Sequence, residues 1–217
     1  ATLAAITAKT RVIFIPNPNN PTGTLISQRA IDSFMSRVPE SIVVVFDEAY
    51  FEFLKDPPDT VKFVREGRNV VVLRTFSKIH GLAGLRIGYA IAPGEMIEVL
   101  HKTRQPFNVN SIAHDGAIAA LDDEAHLIET RRVIDEGRAY LEEQLGEMQI
   151  RFVPAVANFL MVNVGDGCAV FHKLLQRKII VRPLKGYALP EWVRISVGNM
   201  EHNRQLIAVL REIVRPQ

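Results

Sequence analysis

Arg74-Thr75-Phe76-Ser77-Lys78-Ile79-His80-Gly81-Leu82-Ala83-Gly84-Leu85-Arg86-Ile87-Gly88 follows directly on an unbroken apolar run, Val70-Val71-Val72-Leu73. A short run without alternation reads as a strand covered on both faces, the habit of parallel sheets. After it come two hydroxyls at Thr75 and Ser77, a primary amine at Lys78 and a guanidinium at Arg86. An anion ringed by hydroxyls and an arginine is one natural reading, because the guanidinium fork matches phosphate oxygens two at a time. An amine beside such a site can form an imine with an aldehyde. Two upstream runs end in the same way. Ser41 to Phe46 leads into Asp47-Glu48-Ala49-Tyr50, and Arg11 to Pro16 leads into Asn17-Pro18-Asn19-Asn20-Pro21-Thr22-Gly23. Three strands that deliver polar residues at their C-terminal ends predict an α/β fold, since open α/β sheets hold their ligands there.

Composition bounds the function. The 217 residues are 47% hydrophobic and 23% charged, with a net charge of +2 and no run of lysine and arginine that would form a nucleic-acid stripe. Nucleic acid is therefore not an expected partner. The single cysteine, Cys168, excludes an internal disulfide and fits a reducing compartment. No apolar run reaches the length of a membrane span, and the N-terminus lacks the basic start and long apolar core of a signal peptide. The expected location is cytoplasmic, away from membranes. The six histidines show no metal-ligand spacing, so no metal is expected.

Taken in order, the chain predicts alternating strands and helices followed by a change of character. Ser27 caps a helix over residues 28–37, and Asp59 or Thr60 caps a short one ending near Arg65. Glu48 points away from Asp47 by strand alternation and is expected to serve as a structural partner. A strand over 87–92 is followed by a helix over 95–103 with Met96, Val99 and Leu100 on its apolar face. An alanine-rich helix runs over 111–121 and a longer one over 124–145, with Gly137 marking a tight crossing and Gly146 ending it. Short strands at 149–153, 159–164, 179–181 and 193–197 then mix with helices at 169–177 and 201–215, the first with Leu174 and Leu175 inward. This implies residues 1–125 as one domain, built on a mostly parallel sheet, and 126–217 as a smaller α+β domain.

Four motifs, spread in order over nearly the whole chain, carry a resemblance. They are Asn19-Asn20-Pro21-Thr22-Gly23, Asp47-Glu48-Ala49-Tyr50, Ser77-Lys78 with Gly84-Leu85-Arg86-Ile87-Gly88, and Arg194-Ile195-Ser196-Val197-Gly198. Together the sequence resembles a fold type I pyridoxal-phosphate-dependent aminotransferase of the histidinol-phosphate kind, and Pro106-Phe107-Asn108-Val109-Asn110 strengthens that likeness. The resemblance implies pyridoxal 5'-phosphate as cofactor and Lys78 as both its Schiff-base partner and the catalytic acid and base. It implies that Asn20 and Tyr50 bind the cofactor's ring hydroxyl and that Asp47 binds its ring nitrogen. Thr75, Ser77 and Arg86 would surround its phosphate. Arg194 would hold a substrate carboxylate, Arg182 the substrate phosphate, and Asn158 would lie near the substrate. The implied substrates are histidinol phosphate and the glutamate/2-oxoglutarate pair, and the implied assembly is a homodimer.

The same resemblance implies well over a hundred preceding residues, so the sequence corresponds to the C-terminal part of a longer enzyme. Gly186-Tyr187-Ala188-Leu189-Pro190 departs from the family's usual Gly-Tyr-Gly-Leu-Pro, with alanine where glycine would leave the backbone freer. Three alternatives stand beside this reading: an aromatic amino acid aminotransferase, a phosphothreonine decarboxylase of the same fold, and an inactive fragment or binding module.

Overall fold

The computed structural model describes residues 2–214, so Arg215, the expected end of the last helix, lies outside the described residues. The chain divides into two compact units. The first holds the residues up to Pro18 and Leu25–Glu124; the second holds Asn19–Thr24 and the chain from Ala125 onward.

In the first unit, β1 (Val12–Pro16), β2 (Val43–Asp47) and β3 (Val70–Thr75) are parallel neighbours, and β4 (Gly88–Ile91) runs antiparallel beside β3. The apolar runs at 43–46 and 70–73 are the central strands. Val44, Phe46, Val70 and Val72 are fully buried, each contributing about 1.5–3 kcal/mol of transfer free energy. They pack on Ile31 and Met35 of α1 (Gln28–Met35) and on Phe63 of α2 (Val61–Arg65), whose ring lies 6.5 Å from that of Phe46. Ser27 caps α1 as expected, accepting from the Ala30 N–H. At α2 the cap is shared differently: Thr60 holds the N-cap position, but it is the Asp59 carboxylate that accepts from the Lys62 N–H at 3.0 Å.

Two helices of this unit, α3 (Gly94–Thr103) and α4 (Ser111–Asp122), follow β4. The expected apolar face of α3 is not buried: Val99 and Leu100 are exposed. The helical spacing is present, but no element of the described chain covers that stripe.

The second unit contains α5 (Glu124–Glu147), α6 (Gly167–Gln176) and α7 (Met200–Ile213) with an antiparallel sheet. The strands are β5 (Phe152–Val153), β6 (Phe159–Asn163), β7 (Arg182–Pro183) and β8 (Trp192–Ser196), in the order β5-β6-β8-β7. Gly137 does mark a tight crossing. A Cβ there would lie 2.6 Å from Asn203 Nδ2 and 2.7 Å from Val197 Cγ1. Asn203 is itself buried, its side chain bonding both the N–H and the carbonyl of Gly198.

Four expectations fail in this unit. The strand expected over 149–153 is only Phe152–Val153, because the left-handed turn at Gln149 delays pairing with β6. Gly146 does not end α5, which runs on to Glu147; the chain turns instead at Gln149, with φ +56°. Leu175 is exposed, because α6 buries only a narrow face through Val170 and Leu174. Residues 179–181 are not a strand. Pairing with β8 begins at Arg182, and Ile180 is 78% exposed. Among the described residues no helix is long and apolar enough to cross a membrane.

Candidate active site

In the first unit, Asp47, Tyr50, Thr75, Ser77, Lys78 and Arg86 all lie at or just beyond the C-terminal ends of β2 and β3. Two backbone bonds align these ends: Glu48 N–H donates to Leu73 O, and Asn17 N–H donates to Asp47 O, both at 2.9 Å. Asp47 is exposed, with Oδ1 accepting from the Ala49 N–H at 3.2 Å. Tyr50 is buried. Beyond β3 the chain makes a tight turn that buries Phe76, Ile79 and His80 and leaves Lys78 exposed between them. Its Nζ lies 5.3 Å from the centroid of the Tyr50 ring. His80 packs against Phe76 at 5.0 Å.

The hydroxyls and the guanidinium converge. Thr75 Oγ1 accepts from the Ser77 N–H at 3.1 Å, and Arg86 Nη1 donates to Ser77 Oγ at 3.4 Å and to the Ala83 carbonyl at 2.8 Å. Arg86 sits in the left-handed region, φ +56°, a strained backbone of the kind found at ligand clamps. Thr75, Ser77 and Arg86 line one cleft of about 440 Å³. Gly88 forms another part of its wall, where a Cβ would come within 2.6 Å of the Arg74 carbonyl oxygen.

Behind this surface lies a clamp that the sequence only half revealed. Glu48 is buried and has the structural partners expected of it: it accepts from the Thr60 hydroxyl and from Arg74 Nε and Nη2, each of the latter at 3.0 Å. The Arg74 guanidinium stacks 3.5 Å from the Phe51 ring centroid. Glu48 follows Asp47 and Arg74 precedes Thr75, so one ion pair ties the two strand ends that carry the candidate residues. Nothing in the sequence around Arg74 marks its partner.

Burial pushes the Glu48 carboxyl above the ordinary glutamate value, and the bonds from Thr60 and Arg74 only partly offset it. A group with a raised folded-state pKa contributes stability that is complete below its unfolded pKa and is lost as pH rises through the folded one. Urea unfolding between pH 4 and 7 should therefore show a fall in stability above the ordinary value of 4.5 that Glu48→Gln flattens. Glu48→Ala, which strands Arg74, should cost roughly 3 kcal/mol.

The second unit carries Asn20, Asn158, Arg182 and Arg194. Arg182 and Arg194 are direct partners across β7 and β8, so both occupy one face of the sheet. Arg194 Nη1 donates to Asn20 Oδ1 at 2.7 Å, a contact between residues 174 positions apart, and its guanidinium lies 5.0 Å from the Phe159 ring. Arg194 Nε is buried with no hydrogen-bond acceptor. The Asn158 carbonyl accepts from the Val197 N–H at 2.9 Å, which places this residue beside the end of β8. A cleft of about 600 Å³ is lined by Arg182, Arg194, Lys185, Tyr187 and Ser196, among others. Sequence reasoning passed over Lys185; its only signal was its place three residues after Arg182.

The loop at the rim of this cleft bends at Ala188, which holds φ +58°. An alanine there is strained and a glycine is not. Ala188→Gly should raise stability by roughly 0.5–1 kcal/mol, read from urea midpoints.

The sequence model described as aminotransferase class I and II matches residues 1–210. The chain belongs to this family. It is 54% identical over 212 residues to the histidinol-phosphate aminotransferase of Akkermansia muciniphila, covering 98% of the chain and 58% of that relative. It is 46% identical over 218 residues to that of Moorella thermoacetica, covering 99% and 56%. The chain thus spans little more than half the length of these curated relatives. Among solved structures, it resembles the histidinol-phosphate aminotransferase of Sinorhizobium meliloti, determined in complex with pyridoxal-5'-phosphate, with TM-score 0.83 and 28% identity over 94% of the chain and 58% of that structure. The Clostridium acetobutylicum histidinol-phosphate aminotransferase gives TM-score 0.87 and 25% identity over 93% and 63%. The architecture is that of the fold type I transferases, a mostly parallel sheet joined to a smaller antiparallel one.

Proposed function

We propose that this chain is the part of a pyridoxal-phosphate-dependent transaminase that carries its reactive lysine and its substrate arginines. The whole enzyme would exchange an amino group between histidinol phosphate and 2-oxoglutarate, giving imidazole acetol phosphate and glutamate. The observation that carries the substrate reading is the facing pair Arg182 and Arg194 over a cleft lined by no carboxylate. One guanidinium suffices for a carboxylate; an apolar aromatic side chain has no use for the second. The similarity to relatives named for histidinol phosphate supports the same choice.

The residues fit the cofactor. Thr75, Ser77 and Arg86 share a cleft and offer a phosphate two hydroxyls and a fixed positive charge. Asp47 presents an exposed carboxylate suited to a protonated ring nitrogen, and Tyr50 and Asn20 offer O–H and N–H donors suited to a ring oxygen. Asn20 has committed its carbonyl oxygen to Arg194 and keeps its amide N–H groups for a ligand. When bound, pyridoxal phosphate supplies an electron sink for the charge left on the substrate carbon. The protein's part is positional and acid–base. Lys78 Nζ takes the proton from the substrate carbon and later returns one. Asp47 would hold the protonated ring nitrogen. Arg194 fixes the carboxylate of glutamate and Arg182 the phosphate of histidinol phosphate, with Asn158 beside them.

On this reading residues 1–125 form the C-terminal portion of a large cofactor-binding domain and 126–217 a small domain. The complete enzyme would work as a cytoplasmic homodimer. The test is half-reaction kinetics with histidinol phosphate, phenylalanine and phosphothreonine, on the 217-residue chain alone and joined to the further region that its longer relatives carry. Histidinol phosphate should react fastest, and only in the joined form. Faster reaction of phenylalanine would move the protein to the aromatic class, and carbon dioxide from phosphothreonine to the decarboxylases. A joined form that stays colourless with pyridoxal phosphate would make it a binding module.

A further inference from the structure

Lys185 stands in the same cleft as Arg182 and Arg194 and has no assigned role. Its position is fixed. Leu184, just before it, is 1% exposed in the core with Met161 and Trp192, and the Leu184 N–H donates to the Trp192 carbonyl at 3.0 Å. The Lys185 carbonyl accepts from the Ala188 N–H at 3.0 Å, and the Tyr187 N–H donates to Leu184 O at 2.8 Å. The short loop is therefore pinned to the start of β8, two residues from Arg194. Three cations line this cleft and no carboxylate does. Like charges held side by side are unfavourable without a counter-ion, and the buried Arg194 Nε still lacks an acceptor.

Charge matching divides the work. Arg194 has one Nη1–H on Asn20, and its Nε and remaining N–H groups can serve one carboxylate, which carries one charge. Arg182 and Lys185 remain, with two positive charges between them. A phosphate monoester above its second pKa, near 6, carries close to two negative charges and three terminal oxygens. An arginine fork takes two oxygens and a lysine point charge serves the third. We infer that Lys185 is a specificity-determining residue that makes this cleft select a phosphate dianion over singly charged anions. The inference deepens the transaminase reading and rests on it for the identity of the natural ligand.

Methyl phosphate and methyl sulfate test it. They have nearly the same shape but differ by one charge at pH 8. Binding is followed by the fluorescence of Trp192, the single tryptophan of the chain, which lies two residues before Arg194 on the same strand. The wild-type chain should prefer methyl phosphate by about fivefold or more at pH 8 and lose most of that preference at pH 5, where the ester is a monoanion. Lys185→Ala should cut methyl phosphate binding about threefold to fivefold and leave methyl sulfate binding unchanged, a size appropriate to a solvent-exposed ion pair. Lys173→Ala, on the exposed side of α6, should change neither. A Lys185→Ala chain that keeps the dianion preference, or a wild-type chain that shows none, overturns the inference. Neither result bears on the transaminase reading, which fails separately if the joined form takes up no pyridoxal phosphate.

Discussion

Lys78→Ala should lower transaminase turnover by at least about a thousandfold, roughly 4 kcal/mol in barrier height, with little change in fold. Both halves of that expectation come from how Lys78 is held. Its side chain is exposed at the outer edge of a turn whose packing comes from Phe76, Ile79 and His80. The hydrogen bond it contributes to that turn is made by its backbone carbonyl, which accepts from the Gly81 N–H at 3.0 Å, and alanine keeps it. Truncation therefore removes an amine and almost no structure. No other lysine lies in the Arg74–Gly88 stretch, so no neighbour is placed to take over the proton transfers. Urea midpoints of the variant should match wild type within about 0.5 kcal/mol. Borohydride treatment of the joined form loaded with pyridoxal phosphate, followed by peptide mass mapping, should place the pyridoxyl group on Lys78. An adduct on Lys55 or Lys62 in a competent protein would remove Lys78 from its role.

What the sequence made legible is what depends on local pattern. The runs at 43–46 and 70–73 announced covered strands because nothing polar interrupts them, and both are central in the sheet. Gly137 announced a crossing because a glycine inside a long helix needs a reason, and Asn203 and Val197 supply it. Burial of helical stripes was less legible. Periodicity states which residues share a face, not whether anything covers it, and α3 shows the difference through exposed Val99 and Leu100. Ile179 to Val181 looked like a strand on composition, yet pairing starts one residue later, where β8 offers a partner. Two site contacts were out of reach altogether. The Asn20–Arg194 bond joins residues from opposite ends of the chain, and Arg74 gives no local sign that it will meet Glu48 and Phe51.

The two arginines proposed to hold substrate should fail in different ways. Arg194 is the more committed residue: it bonds Asn20, rests against Phe159 and buries an Nε that has no acceptor. A buried donor without a partner costs about 1–3 kcal/mol, and a carboxylate placed against Arg194 would satisfy it. Arg194→Ala gives up that gain and also frees Asn20 from its orientation. The expected loss in kcat/KM for the glutamate half-reaction is about a hundredfold or more, near 2.7 kcal/mol. Arg194→Lys keeps the charge but not the fork, and should recover stability while leaving most of the catalytic loss. Arg182 is exposed and has no carboxylate partner among the described residues. Arg182→Ala should therefore lower kcat/KM for histidinol phosphate only about tenfold, near 1.4 kcal/mol, and leave the glutamate half-reaction nearly unchanged. The asymmetry is the decisive measurement, because a general loss of folding would lower both half-reactions together. Equal losses in the two half-reactions for Arg182→Ala would show that it reads no phosphate. Full glutamate activity in Arg194→Ala would leave its buried guanidinium with a purely structural role on Asn20.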